Sequence, residues 1–152
     1  MKFTGEIEIA APARDVWDLI LDPSRLAACV PGAAAVRQVD DRTVEGEITT
    51  AIGPVQADFA FRSLITHSEF PDDLVVEVTG TDSMTRSRLE ARVAVRLEAL
   101  EGGRTRLHYQ STVAVVGRLG IVGEMVLRAT AGAMINQVAR CLQGRFEPAG
   151  TT

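Results

Sequence analysis

The sequence predicts an antiparallel α+β domain in which a curved sheet of about seven strands wraps around one long C-terminal helix. Three observations carry this. The first is a set of six or so segments with strict two-residue alternation of apolar and polar side chains, as half-buried strands require. The second is the shortness of the links between them, marked by Asp40-Asp41, Gly53-Pro54, Pro71-Asp72-Asp73 and Glu101-Gly102-Gly103, which suit hairpins rather than parallel crossovers. The third is the stretch 119–135, LGIVGEMVLRATAGAMI, whose charges are Glu124 and Arg128 alone. An ordinary surface helix shows one apolar stripe and a broad polar face; this one is apolar or small almost all round, so the sheet is expected to cover most of it.

The elements follow in order. Phe3, Gly5, Ile7 and Ile9 alternate with Lys2, Thr4, Glu6 and Glu8 in a first strand that Pro12 ends. ARDVWDLIL then has helical spacing over about 13–21, and a second short helix is expected at about 24–29, with Ser24 as its cap and Pro31-Gly32 as its stop. A short strand lies around Val36 to Val39. Val44, Gly46, Ile48 and Thr50 share one face of the next strand, and Val55, Ala57, Phe59 and Phe61 one face of the strand after it. Leu74, Val76 and Val78 mark another. The clearest alternation is 88–99, with Leu89, Ala91, Val93, Val95, Leu97 and Ala99 on one face. In the last strand Thr105, Leu107, Tyr109, Ser111, Val113 and Val115 point inward. The long helix is expected from about Leu119 to Phe146. Segregated strands and helices of this kind make an α+β domain, set at residues 1–147, with 148–152 as a tail or linker remnant.

Composition narrows the function. The 152 residues suit one core. A net charge of −4, with Arg86, Arg88, Arg92 and Arg96 interleaved with Glu90 and Glu98, argues for a solvated sheet face and against nucleic acid as a partner. Cys29 and Cys141 lie far apart without CxxC spacing and are expected as reduced thiols in a cytoplasmic protein. No run reaches about 20 apolar residues, and the N-terminus lacks the apolar core of a signal peptide. HExxH, paired histidines and a one-face carboxylate cluster are all missing, so no metal site is expected.

A resemblance sharpens this reading. The opening KFTGEIEIAAPARDVWDLILDPSRLAACVPG (Lys2 to Gly32), the Gly-Pro turn and alternating strand from Ile52 to Phe61, and VGRLGIVG (Val116 to Gly123) resemble the helix-grip fold of the START and birch-pollen-allergen-like superfamily, SRPBCC. Within it they are most similar to the G-subunit family of carbon monoxide dehydrogenase, on the strength of VWDLILDP and LAACVPG. The resemblance implies a non-enzymatic accessory protein of a molybdenum-containing carbon monoxide dehydrogenase or related molybdenum hydroxylase, linked to recruiting that enzyme to the inner face of the cytoplasmic membrane. Some members carry a C-terminal membrane tail, which is not expected here.

A greasy cavity between helix and sheet would then hold a quinone, menaquinone-like, or another lipid, with no covalently bound cofactor. The expected lining is Trp17, Phe59, Phe61, Val76, Val93, Val95, Leu107, Tyr109, Ser111, Leu119, Val122, Met125, Val126, Ala129 and Met134. Each is an ordinary core residue when taken singly; together they are many for a thin two-layer domain, and apolar pockets with a few polar groups are the usual form of small-molecule sites. Tyr109 and Ser111 are the polar groups on that face. Small inward residues (Gly5, Ala57, Ala91) are expected to leave room. Gly117, Gly120 and Gly123 pack closely or hinge the helix, and the loop 80–86, with Met84 at its tip, is expected as a flap. His67 and His108 are expected at the surface. Two alternatives stand beside the carrier: a polyketide cyclase or aromatase-like enzyme using Tyr109 or Glu124, and a ligand-free docking or assembly module.

Overall fold

A computed structural model describes residues 1–146. Seven strands form a single antiparallel sheet in the order β1-β7-β6-β5-β4-β3-β2. They are β1 (Lys2–Ile9), β2 (Ala33–Gln38), β3 (Thr43–Ile52), β4 (Val55–Glu69), β5 (Asp73–Asp82), β6 (Arg88–Leu100) and β7 (Arg104–Val116). Two short helices, α1 (Ala13–Ile20) and α2 (Pro23–Ala27), follow β1, and α3 (Glu124–Gly144) comes last among the described elements. Every hairpin read from the turn residues is present. The expected tail 148–152 lies outside the described residues.

Register confirms the alternation. Ile7 faces Leu107, which faces Leu97; Phe3 faces Ser111, then Val93, then Val76; Val115 faces Leu89, then Gly80, then Phe61. These rows put the expected apolar set on one side of the sheet. β4 is longer than its alternation suggests, running on to Glu69 through a bulge between Ile65 and His67.

Helix α2 is capped differently from expectation. Asp22, not Ser24, accepts hydrogen bonds from the backbone of Ser24 (3.1 Å) and Arg25 (3.3 Å), while Pro23 takes the first helical position, where no amide donor is required. These bonds hold the Asp22 carboxyl below its ordinary range, led by the one from the Ser24 hydroxyl. In α1, Val16, Trp17 and Leu19 turn inward.

The long helix also departs from the sequence reading. It starts at Glu124. Before it lies a separate 3-10 turn, Arg118–Val122, bounded by Gly117 (φ 117°) and Gly123 (φ 96°), backbone angles that L side chains rarely adopt. Nor is α3 enveloped. Leu142 is its one buried residue, and a stripe through Met125, Ala129, Ala133, Asn136 and Arg140 faces solvent. Small alanines expose little apolar area, which lets an apolar-looking sequence serve as a one-sided cover.

The expectation of two reduced thiols is overturned: Cys29 and Cys141 form a disulfide with Cα atoms 5.4 Å apart. The end of α2 and the last turn of α3 pack into one core, and that packing brings the cysteines to bonding distance. A separation of 112 residues hides such a meeting from any reading of spacing.

Candidate functional site

Two hydrophobic cores anchor α3, one at each end. The C-terminal core contains Ile9, Val16, Trp17, Leu19, Leu74, Leu97, Leu107 and Leu142, with the disulfide inside it. The N-terminal core contains Ile52, Ala57, Phe59 and Leu119, flanked by Val122, Val126 and Leu127. Between them α3 lies over the concave face. Val126 approaches the β3–β4 turn, where a Cβ on Gly53 would come within 3.1 Å of it. Gly132 passes over Phe3, the Arg128 guanidinium stacks 5.5 Å from the centroid of the Phe3 ring, and the Gln143 side-chain amide donates to the Glu8 carbonyl. A helix that touches both β1 and β3, five steps apart in the sheet, requires a strongly curled sheet.

In the middle zone the inward side chains are not fully covered. Phe61, Val76, Val93, Val95 and Tyr109 from the sheet and Met134 from the helix are all only partly buried. A packed protein interior leaves few such gaps. These side chains form a half-covered apolar band, the groove, rather than a sealed chamber. Two surface depressions involve no residue of α3: one of about 580 Å³ bordered mainly by outward residues such as Arg37, Glu47, Arg62, Thr81 and Arg88 and reaching Phe61, and one of about 440 Å³ around Asp40 to Thr43.

The expected lining therefore divides. Trp17 and Leu107 are C-terminal core residues, and Trp17 packs edge-on against Phe70 at 5.3 Å. Phe59 and Leu119 are N-terminal core residues, with Val122 and Val126 beside them. Val76, Val95 and Tyr109 pack against the C-terminal core from the groove side, Ser111 is buried beside them, and Phe61, Val93 and Met134 are partly buried and belong to neither core. Met125 and Ala129 do not face the groove: they stand on the outer side of α3, because the helix begins five residues later than expected and its phase is set from Gly123.

Two further expectations change. The small inward glycines do not simply leave space. A Cβ on Gly5 would lie 2.5 Å from the Tyr109 hydroxyl, and one on Gly46 would lie 2.9 Å from the Phe61 ring, so neighbouring aromatic rings already occupy those positions. The second concerns the 80–86 segment, which is not a loose flap. Asp82, fully buried, receives the Asp58 amide (2.8 Å), the Thr85 amide (2.9 Å) and the Thr85 hydroxyl (2.6 Å). With one proton per hydroxyl, the 2.8 Å contact between Thr85 and Ser87 is donated by Ser87. Ser87 Oγ in turn accepts the Leu119 amide at 2.9 Å. A directed chain thus joins the β5–β6 turn to the approach to the last helix. Burial opposes the charge on Asp82, but these hydrogen bonds outweigh it and hold the carboxyl below its ordinary value. Sequence reasoning missed this role; the only signal was the Asp-x-x-Thr spacing of a local turn.

The polar groups of the groove are Tyr109 and Ser111. Neither hydroxyl has a hydrogen-bond partner among the described residues; Tyr109 is partly buried and Ser111 is buried. Thr105, by contrast, is used structurally, donating to the Ala11 carbonyl at 2.7 Å. Glu124 is exposed and pairs with Arg128 at 3.8 Å. His108 lies on the outer face between Glu98 (2.9 Å) and Glu6 (3.3 Å), and His67 lies near Glu69 and Asp73. Among the described residues no nucleophile has a positioned base, and no group of three or more His, Cys, Asp or Glu is placed to hold a metal ion.

A curled antiparallel sheet closed by one long helix over an apolar groove defines a helix-grip, START-like domain. Solved structures bear this out. A conserved protein from Geobacillus kaustophilus superposes with a TM-score of 0.86 at 20% identity, covering 96% of this chain and 95% of that one. A START superfamily protein from Mycobacterium smegmatis gives 0.64 at 16% identity, covering 95% and 96%. The Zhui aromatase/cyclase from Streptomyces sp. R1128 gives 0.64 at 15% identity, covering 100% and 99%. Comparison with curated proteins finds no match. Residues 5–146 match the carbon monoxide dehydrogenase G-subunit family (CoxG), and the chain belongs to that family.

Proposed function

We propose that this protein is a non-enzymatic carrier that holds a quinone, menaquinone-like, or another lipid in the groove beneath α3. It serves a molybdenum-containing carbon monoxide dehydrogenase-type enzyme and helps couple that enzyme to the cytoplasmic membrane, working at the inner membrane face. The single observation that carries the reading is the pair of separate cores with a band of half-covered apolar side chains between them. A guest that buries this band gains about 25 cal/mol per Å² of apolar area, before ordering costs. Tyr109 and Ser111 supply hydroxyls that can pair with a ring carbonyl. Family membership supports the accessory role. The disulfide removes reduced thiols as a reason for a cytoplasmic location, so that placement rests on the proposed partnership with the enzyme. Among the described residues, no helix is long and apolar enough to cross a membrane.

The test is direct. Organic extracts of the purified protein are examined by mass spectrometry, and the protein is titrated with a menaquinone analogue by calorimetry. A bound lipid, or saturable one-to-one binding weakened by Phe61→Asp, is expected. Empty extracts together with a flat titration would reject the carrier and leave a ligand-free docking module in its place. The aromatase-like alternative requires turnover lost in Tyr109→Phe, and among the described residues no base is hydrogen-bonded to that phenol.

A further inference from the structure

The two ends of the molecule differ in charge and in exposed apolar area. One end gathers the β3–β4 turn, the β5–β6 turn and the approach to α3. Met84 (82% exposed), Ile121 (85%), Met125 (85%) and Val116 (60%) all project there. Their two segments are held together by the Ser87–Leu119 hydrogen bond and by the pairing of Arg88 with Val116, so they form one rigid unit rather than independent loops. The exposed large apolar residues at the other end, Val39, Leu64 and Phe70, show 46% or less.

Charge follows the same axis. At the first end Arg86 and Arg118 are exposed, and neither is ion-paired among the described residues; Arg88 and Arg128 have Glu90 and Glu124, and exposed Asp58 adjoins Ser83, so arginines outnumber exposed carboxylates there by four to three. At the opposite end the β2–β3, β4–β5 and β6–β7 turns carry or adjoin Asp40, Asp41, Glu69, Asp72, Asp73 and Glu101 against Arg42 and Arg104. A chain of net charge −4 thus presents a basic, methionine-tipped end and an acidic one. Apolar side chains ringed by unpaired arginines match the boundary between acyl chains and anionic headgroups, where each basic residue strengthens attraction.

We propose that the end formed by the β5–β6 turn and the approach to α3 docks on an anionic lipid surface. Met84, Ile121 and Met125 insert below the headgroups, and Arg86 and Arg118 meet phosphates. The acidic end then points away from the membrane. The proposal rests on the lipid-carrier reading, and it assigns the face through which that carrier meets its lipid source: the start of α3, at the end away from the disulfide.

The experiment is flotation of the full chain with phosphatidylcholine vesicles, with and without phosphatidylglycerol, over a range of salt. Binding is expected to need phosphatidylglycerol and to weaken with salt. Arg86→Gln/Arg118→Gln should lower partitioning about thirtyfold, and Met84→Ser/Ile121→Ser/Met125→Ser about tenfold or more. These positions are solvent-exposed, and circular dichroism verifies that the variants fold. Uptake of a short-tailed quinone analogue in vesicle-free solution is measured in parallel. Wild type that floats but takes up no quinone keeps the docking face and refutes the carrier. Wild type that takes up quinone while the variants float undiminished refutes the docking face. Equal flotation on neutral vesicles also overturns it, as does a dimer dispersed by the triple substitution without vesicle binding.

Discussion

Removing the Cys29–Cys141 cross-link is the sharpest perturbation the structure offers. The bond closes a loop spanning 112 residues of separation, nearly the whole domain. By chain-entropy arithmetic, releasing a loop of that size returns about 4.8 kcal/mol of freedom to the unfolded chain, and about 3–5 kcal/mol is the practical expectation. With a urea dependence of about 2 kcal/mol per molar, the unfolding midpoint of Cys29→Ala/Cys141→Ala should fall by about 2 M. Its melting temperature should fall by about 10–15 °C. Alanine is chosen because Cys29 is buried, and serine would leave a hydroxyl there to satisfy. Wild type unfolded with and without a reductant separates the cross-link from the packing, since the reduced protein keeps both sulfurs. A midpoint shift below about 0.3 M on reduction would refute the reasoning, as would two alkylatable thiols in the native, unreduced protein. The bond also has a mechanical consequence. It ties the last turn of α3 to the end of α2 and so fixes that end of the helix.

Further outcomes follow from the chain of hydrogen bonds at the other end of α3. The Asp82 carboxyl is held low in the folded protein, so its contribution is fully present above the ordinary value of 3.8 and is lost as pH falls through the folded value. Asp82→Asn should cost about 2–4 kcal/mol at pH 7. Its deficit in melting temperature should be constant above about pH 5 and shrink in more acid solution; a pH-independent deficit would contradict the assignment. Gly117→Ala places a Cβ 2.8 Å from Ser87 Oγ at a φ of 117°. The strain and the displaced Ser87–Leu119 bond should cost about 1–3 kcal/mol and raise hydrogen exchange at Leu119, whereas unchanged exchange there would show that Ser87 does not hold the approach to the helix.

How far the sequence was legible depends on the range of the interaction. Strand phase follows from alternation, so the inward set of β6 and β7 was readable residue by residue, and the Gly-Gly and Gly-Pro links placed the hairpins. Helix phase is less secure. LGIVGEMVL carries helical composition through Gly123, but a positive φ at that glycine breaks the helix and resets its phase. Met125 and Ala129 were thereby misplaced as groove residues. Gly5 on the sheet invited an inference of space, yet the Tyr109 ring lies over it, as the Phe61 ring lies over Gly46; which ring covers which backbone depends on rotamers that spacing does not encode.

By itself the chain determined the order of the main elements, the antiparallel pairing of neighbours, the inward face of every strand but β2, and the family. Those follow from local periodicity, turn chemistry and segment-level similarity. Only the tertiary structure decided that the interior divides into two cores with an open band between them, that Cys29 meets Cys141, and that Asp82 reaches Leu119 through Thr85 and Ser87. Each of these depends on the curl of the sheet and the path of α3 across it, which bring together residues up to 135 positions apart. No local pattern records where such paths cross.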